Sequence, residues 1–162
     1  MRVSLPALTH VGLVVADLDA AAADFRRQWG TAIDHVVELT HHGAIYRGAE
    51  IDLTARYGFI RTGGSDVELI EPISTPSPYA DFLSSNGGDG VHHLAYFVDA
   101  IDPYLEQLAE HRASAVLQLD APLGEGERFV YVEGASHGPA VELIQVSQAT
   151  LERMAAGTFG DV

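Results

Sequence analysis

Thr9-His10-Val11-Gly12-Leu13-Val14-Val15 opens the patterned part of the chain, and His92-His93-Leu94-Ala95-Tyr96-Phe97-Val98 says it again. Both runs are rich in β-branched and aromatic residues, with the period-two alternation of a strand. Each is followed later by a second shared phrase. The first has Val67-Glu68-Leu69-Ile70-Glu71, the second Val141-Glu142-Leu143-Ile144-Gln145. A self-similarity of this kind fixes the architecture before any single residue does. The first copy carries about nine extra residues between its two halves, counting by the alignment of the repeat. They fall within residues 40–62.

The intervals between these phrases read the same way in both copies. Residues 8–15 predict a strand. A helix follows, capped by Asp19 and ending near Gly30. Leu18, Ala21, Ala22, Phe25 and Trp29 recur at helical spacing and give it one apolar stripe. In the second copy residues 91–98 predict a strand, and Asp102 caps a helix with Pro103 at its first position. Ile101, Leu105 and Leu108 form that stripe. Three strand-like segments come next: 33–39, 44–61 (with a bend or split) and 66–72 in copy one, and 115–119, 128–133 and 140–146 in copy two. Glycines, Gly63-Gly64 and Gly124 to Gly138 among them, mark the turns.

The expected fold class is therefore α+β, built from two βαβββ modules at residues 1–73 and 91–147. A Pro-, Ser- and Gly-rich linker, 74–90, with a short helix at 78–83, joins them. Residues 148–162 form a tail with a short helix.

Bulk properties narrow the function. The chain has 162 residues, 47% of them hydrophobic, which is ordinary for a folded domain. No apolar run approaches the roughly 18–20 residues that span a bilayer. The first residues lack the apolar core of a signal peptide, so a cytoplasmic protein is expected. A formal net charge of −14, with only nine Lys and Arg, argues against nucleic acid and against an anionic membrane surface. There is no cysteine, so a metal site must use His, Asp or Glu.

Strand alternation sorts the histidines. Val11, Leu13 and Val15 share the face that packs on the helix; His10, Gly12 and Val14 share the other. Leu94, Tyr96 and Val98 take the helix face in the second copy, leaving His93, Ala95 and Phe97 opposite. Gly12 and Ala95 leave space beside each histidine for an ion or ligand. Glu68 and Glu142 sit between apolar residues, where a carboxylate is costly unless paired or coordinated. Four donors at equivalent repeat positions predict one divalent-metal site: His10, Glu68, His93 and Glu142. His92 turns the other way and is expected to pack or to orient a ligand. His41 and His42 fall in the extra stretch, and His137 in a turn. His35 and His111 have no supporting context.

These phrases resemble the vicinal oxygen chelate superfamily of glyoxalase I, methylmalonyl-CoA epimerase, extradiol dioxygenases and bleomycin-resistance proteins. The resemblance runs from Leu8 to about Val146. Val67-Glu68-Leu69-Ile70-Glu71-Pro72, Gly90-Val91-His92-His93-Leu94-Ala95 and the linker Ser77-Pro78-Tyr79-Ala80-Asp81-Phe82-Leu83 are very like the epimerase members. It implies paired modules forming an incomplete barrel around a divalent metal, with the family's ligands falling on His10, Glu68, His93 and Glu142. It also implies a homodimer. Two places differ. The epimerases carry a Glu-Gln-Gly-Val-like segment that supplies a second acid/base group; here Leu39-Thr40-His41-His42-Gly43-Ala44 stands. Their last turn is Pro-Lys-Ser-like; here it is Gly134-Ala135-Ser136-His137-Gly138-Pro139. The Asp-Pro-Asp-Gly-like turn of glyoxalase I is absent too.

Two neutral imidazoles and two carboxylates balance a dication and suit Zn, Ni, Co, Mn or Fe. A small-molecule substrate with two adjacent oxygens would chelate the ion, which would stabilise an enolate as a Lewis acid. Proton abstraction next to a carbonyl, giving epimerisation or isomerisation of a small molecule or acyl-CoA, is the leading expectation. Glu142 or Glu68 would take the proton, with His42 a weaker candidate. A glyoxalase I-like lyase and an extradiol-type dioxygenase are the enzymatic alternatives. A non-catalytic, bleomycin-resistance-like binding protein is the alternative of another class. Arg47, Arg56, Arg61 and Arg128 are candidate anion contacts for a coenzyme A carrier, or surface residues.

Overall fold

The period-two phrases become strands, and each apolar stripe becomes a helix laid on their outer face. The computed structural model describes residues 2–33, 35–110, 116–133 and 138–155. The element order is β1 (His10–Val14), α1 (Leu18–Trp29), β2 (Val36–Tyr46), β3 (Ala49–Ile60), β4 (Asp66–Pro72), α2 (Pro78–Asn86), β5 (Gly90–Val98), α3 (Asp102–Glu110), β6 (Val116–Gly124), β7 (Glu127–Glu133), β8 (Ala140–Gln145) and α4 (Gln148–Ala155). A βαβββ order thus occurs twice, with α2 between. No helix among the described residues is long and apolar enough to cross a membrane.

Helix ends follow capping chemistry, with one correction. The cap of α1 is Asp17, not Asp19: its carboxylate accepts from Ala20 N–H at 2.9 Å. Asp19 lies in the first turn and pairs with Arg56 at 3.0 Å. Gly30 ends the helix at φ 69°, a left-handed conformation that a Cβ would penalise. Leu18, Ala21 and Phe25 pack on Val15, Ile60 and Leu69 as expected. Trp29 does not; it is 73% exposed. Under the second copy, Ile101, Leu105 and Leu108 cover Val98, Val130 and Leu143. The linker helix α2 is longer than expected, running from its Ser77 cap to Gly87.

The eight strands close into one ring, in the order β1-β4-β3-β2-β6-β7-β8-β5. Pairs β1–β4 and β5–β8 are parallel and the rest antiparallel. The expected incomplete barrel is therefore closed in this structure. Its closing seam is thin: β2 meets β6 at Ile45↔Asp120 and Tyr46↔Leu119 only. Directly across the ring, β1 pairs with β5. The lumen holds an apolar cluster including Val14, Leu53, Tyr57, Ile70, Tyr79, Phe129 and Ile144.

The extra residues of the first copy form a long hairpin. Strands β2 and β3 have 11 and 12 residues, against 9 and 7 for β6 and β7. The expected 44–61 segment splits at Arg47 (φ 48°) and Gly48 (φ 81°), the paired positive values of a tight hairpin turn. A bulge interrupts β2 between His41 and Ala44, where Gly43 has φ 70°.

Candidate metal centre

Register brings the two phrases together. In the antiparallel β1–β5 pair, Gly12 lies opposite His93, and His10 opposite Ala95. Each histidine thus faces the small residue of the other copy. In the parallel pairs Glu68 lies beside Gly12, and Glu142 beside Ala95. Neighbours across a ladder share a face, so all four donors enter the lumen at one level.

The four residues do converge, and all are buried. His10 Nε2 is 3.3 Å from Glu68 Oε2 and 3.2 Å from Glu142 Oε2. His93 Nε2 is 3.4 Å from Glu68 Oε2 and 3.1 Å from Glu142 Oε2. The two Nε2 atoms are 3.4 Å apart. Ligands about 2.1 Å from a shared ion stand roughly 3.0–3.4 Å from one another in octahedral or tetrahedral arrangements. One donor atom from each residue lies within 4.8 Å of all the others. Glu142 Oε2 is fully buried and makes no well-aligned hydrogen bond. These atoms aim at a common point rather than at each other, and the donor set fits a divalent cation.

The electrostatics agree. Burial by itself pushes the His10 imidazole down, but Glu68 and Glu142 raise it to about 10. His93 is raised for the same reasons, again against burial. Burial pushes both carboxyls up, yet the imidazoles hold Glu68 and Glu142 below the usual carboxylate range. Protons shared between imidazoles and carboxylates hold the cluster together, and a divalent cation bound there would displace them.

Gly12 has a different job from the one expected. It makes room for the His93 ring rather than for an ion: a Cβ at Gly12 would lie 2.0 Å from His93 Cε1 and 2.3 Å from Nε2. His92 packs as expected but does not turn the other way: the register shift opposite Leu13 sets its ring beside the lumen residues Tyr79 and Tyr131. Its Nδ1 is 3.0 Å from His93 Nδ1. Burial among Tyr79, Phe82 and Tyr131, with His93 adjacent, lowers it to about 3. A neutral His92 accepts the His93 Nδ1–H, which leaves His93 Nε2 turned to the carboxylates.

Several lumen residues were not legible as site residues. Phe59 stands opposite Glu68 on β3 and edge-on to His10; Tyr131 stands opposite Glu142 on β7 and 4.9 Å from the His93 ring. Tyr79, from α2, hydrogen-bonds Tyr131 Oη at 2.9 Å and reaches Tyr57 Oη at 3.5 Å. Burial raises all three phenols, so they stay neutral hydroxyls.

The histidine pair of β2 lies in a strand and divides between its two faces. His42 is outside the lumen, with a 77% exposed side chain 3.1 Å from Asp52. His41 is inside and buried, edge-on to Phe129 and Tyr57. The four arginines are already engaged with carboxylates: Arg47 with Asp81, Arg56 with Glu71 and Asp19, Arg61 with Asp66, Arg128 with Asp120 and Asp102. His35 lies outside the cluster, and His111 and His137 lie outside the described residues.

The chain is similar to known proteins over most of its length. Residues 9–132 match the family model described as Glyoxalase/Bleomycin resistance protein/Dioxygenase superfamily. The ethylmalonyl-CoA/methylmalonyl-CoA epimerase of Cereibacter sphaeroides is 30% identical over 141 residues, covering 86% of this chain and 97% of that protein. The mitochondrial methylmalonyl-CoA epimerase of Bos taurus is 28% identical over 147 residues, covering 90% and 76%. The crystal structure of methylmalonyl-CoA epimerase from Mycobacterium tuberculosis superposes with TM-score 0.66 at 22% identity, covering 94% and 97%, a likeness of fold. The doubled strand phrase, the ring it builds and the matched model have one explanation: the chain belongs to the glyoxalase/bleomycin resistance/dioxygenase superfamily.

Proposed function

We propose that this protein is a divalent-metal-dependent epimerase that moves the proton next to the carbonyl of an acyl-CoA thioester. The observation that carries the reading is the convergence of His10, Glu68, His93 and Glu142 in a buried lumen, with Glu142 Oε2 close to two imidazoles but well aligned to neither. The ion would be held by these four residues. When bound, it would supply Lewis-acid stabilisation of negative charge on a carbonyl oxygen. The acyl-CoA substrate class is supported by relatives whose names carry it, at 30 and 28% identity. The same relatives favour epimerisation over the lyase and oxygenase readings, and the complete donor quartet counts against a non-catalytic binding protein.

The chain's own groups do the rest. Glu68 and Glu142 stay ionised among the imidazoles, so either is available as the acceptor of the substrate proton. A carboxylate that swings away from its cationic surroundings becomes more basic. Val14, Phe97 and Ile144 wall the lumen and limit water, which strengthens the electrostatics inside. The neutral hydroxyls of Tyr57, Tyr79 and Tyr131 are donors for substrate oxygens.

Metal analysis of the purified protein tests the site, beside His10→Ala and Glu142→Ala. About one ion per chain is expected for the wild type and much less for either variant. Equal, sub-stoichiometric metal in all three under metal-replete conditions overturns the site. Incubation with methylmalonyl-CoA or ethylmalonyl-CoA in D2O tests the chemistry. Metal-dependent deuterium incorporation next to the carbonyl is expected. Oxygen uptake without exchange would support the dioxygenase reading instead.

A further inference from the structure

A cleft of about 820 Å3 lies between α2, the first residues of β5, β6 and β8, and the end of β7. None of the four donors lines it. His92 stands between the cleft and the lumen residues Tyr79 and Tyr131, which are 0% and 1% exposed. The cleft is therefore separate from the lumen.

Two buried polar side chains line the cleft with hydrogen-bonding capacity unspent. His92 is 5% exposed, and its Nδ1 accepts from His93 Nδ1–H at 3.0 Å. The neutral ring then carries its own hydrogen on Nε2. Among the described residues, no hydrogen bond engages that Nε2. Gln118 is 6% exposed and donates from Nε2 to Glu133 Oε1 at 2.5 Å. A carboxylate only accepts, so this bond fixes which way the Gln118 amide points. Its Oε1 is left buried and without a partner. The charges at the rim are already engaged: Arg47 pairs with Asp81 at 3.2 Å, and Glu133 holds Gln118.

We infer that this cleft is a binding site for a small neutral carboxamide. The ligand's carbonyl accepts from His92 Nε2–H, and its N–H serves Gln118 Oε1. A buried acceptor without a donor destabilises the empty protein, and a ligand that supplies the donor recovers that cost. An ionised ligand would shed its hydration without meeting an unengaged counter-charge, so a neutral one is favoured. Phe82, Val91 and Pro139 give the cleft apolar walls suited to a flat group. The inference goes beyond the epimerase reading and does not need it, because the metal-free protein has the same cleft.

The site is one bond away from the donor cluster. An acceptor on His92 Nε2–H makes Nδ1 of the same ring a stronger acceptor. That strengthens the hydrogen bond that orients His93. An occupied cleft therefore holds His93 Nε2 more firmly towards Glu68 and Glu142.

Nicotinamide, a planar primary carboxamide, is the probe. Methyl nicotinate keeps the carbonyl but lacks the N–H, and nicotinate is charged. The metal-free protein, 15N-labelled at histidine, is titrated with each and followed by its imidazole signals. Nicotinamide should give a saturable shift of the His92 Nε2–H and His93 Nδ1–H signals, and both analogues should bind more weakly. Gln118→Met removes the acceptor at similar length. It should weaken nicotinamide roughly 2- to 12-fold, the worth of one hydrogen bond, and leave methyl nicotinate unchanged. Ser85→Trp, at an exposed rim position on α2, should fill the cleft and abolish binding while the His10 signals stay in place.

Three outcomes would overturn the inference. They are no saturable His92 shift, equal affinity for nicotinamide and methyl nicotinate, and equal weakening of both compounds by Gln118→Met. The titration involves neither metal nor thioester, so its failure leaves the epimerase reading untouched, and failure of proton exchange leaves the cleft untouched.

Discussion

Gly12→Ala adds a single methyl group, and the structure says where it goes. The new carbon would lie 2.0, 2.3 and 2.5 Å from Cε1, Nε2 and Nδ1 of His93. Gly12 is in strand β1 and is not among the glycines with positive φ, so alanine meets no backbone penalty. By itself the substitution would even help, by about 0.4–1 kcal/mol, through a less flexible unfolded chain. The contact decides the outcome. The His93 ring is wholly buried and held by His92 and Tyr131, so it cannot step aside freely. Overpacking of this kind costs about 1–3 kcal/mol, or roughly 2–12 °C in Tm for a chain of this length. Metal affinity should suffer separately. A ligand ring turned from its bearing loses at least the 10- to 100-fold seen when ligand orientation is disturbed. Thermal unfolding of the metal-free protein and competition with a chelating dye measure the two effects. Ala95→Gly, at the equivalent place on β5, is the control. It removes a methyl group opposite His10 and should leave metal affinity within a few-fold. Wild-type Tm and metal affinity for Gly12→Ala would refute the reasoning.

Two further outcomes follow from the same geometry. The metal-free protein should lose stability as pH rises. His10 is raised from 6.5 to about 10, so its contribution is fully present below about 6.5 and lost as pH passes 10. Glu68 and Glu142 are lowered, so theirs is present above about 4.5 and lost as pH falls through their folded values. Chemical denaturation from pH 4 to 10 should therefore show a maximum near pH 4.5–6.5, and saturating metal should flatten the alkaline loss; a metal-free curve still rising from pH 7 to 10 contradicts this. His42→Ala should keep turnover within about threefold, because the side chain is exposed and makes one surface ion pair, a contact worth little; a loss above tenfold would return His42 to the site.

The candidate donor quartet is legible in the amino-acid sequence because each donor sits on a stretch of regular strand. Alternation holds along β1, and along β5 from His93 onward, so the faces of His10 and His93 follow from counting; the register shift against Leu13 leaves His92 out of the count. The same parity places Leu69 on the helix side and Ile70 in the lumen. The small residue two positions after each histidine is legible too, but its purpose is not. That depends on the β1–β5 register, which sets Gly12 against His93. A pairing between distant segments leaves no local trace.

The His41–His42 pair shows where counting fails. Ala44 and Tyr46 are buried, and unbroken alternation from them would send His42 inward and His41 outward. The bulge at Gly43 inserts a residue and inverts the parity, so His41 enters and His42 leaves. A bulge is a compromise between two paired strands and belongs to neither sequence alone. Closure of the ring has the same character. It rests on two residue pairs between β2 and β6, on the bond from Arg47 N–H to the Gln118 carbonyl and on the His41–Pro122 bond, contacts between elements far apart in the chain.

By itself, then, the sequence determined the βαβββ order, the outer and inner faces of the regular strands, and the four donors they carry. Those follow from period-two geometry and a repeat, which are local properties. Tertiary structure alone decided which histidine of β2 enters the lumen, what Gly12 accommodates, and which wall faces the carboxylates. Those are matters of register, bulge and ring closure, and they exist only once distant strands are side by side.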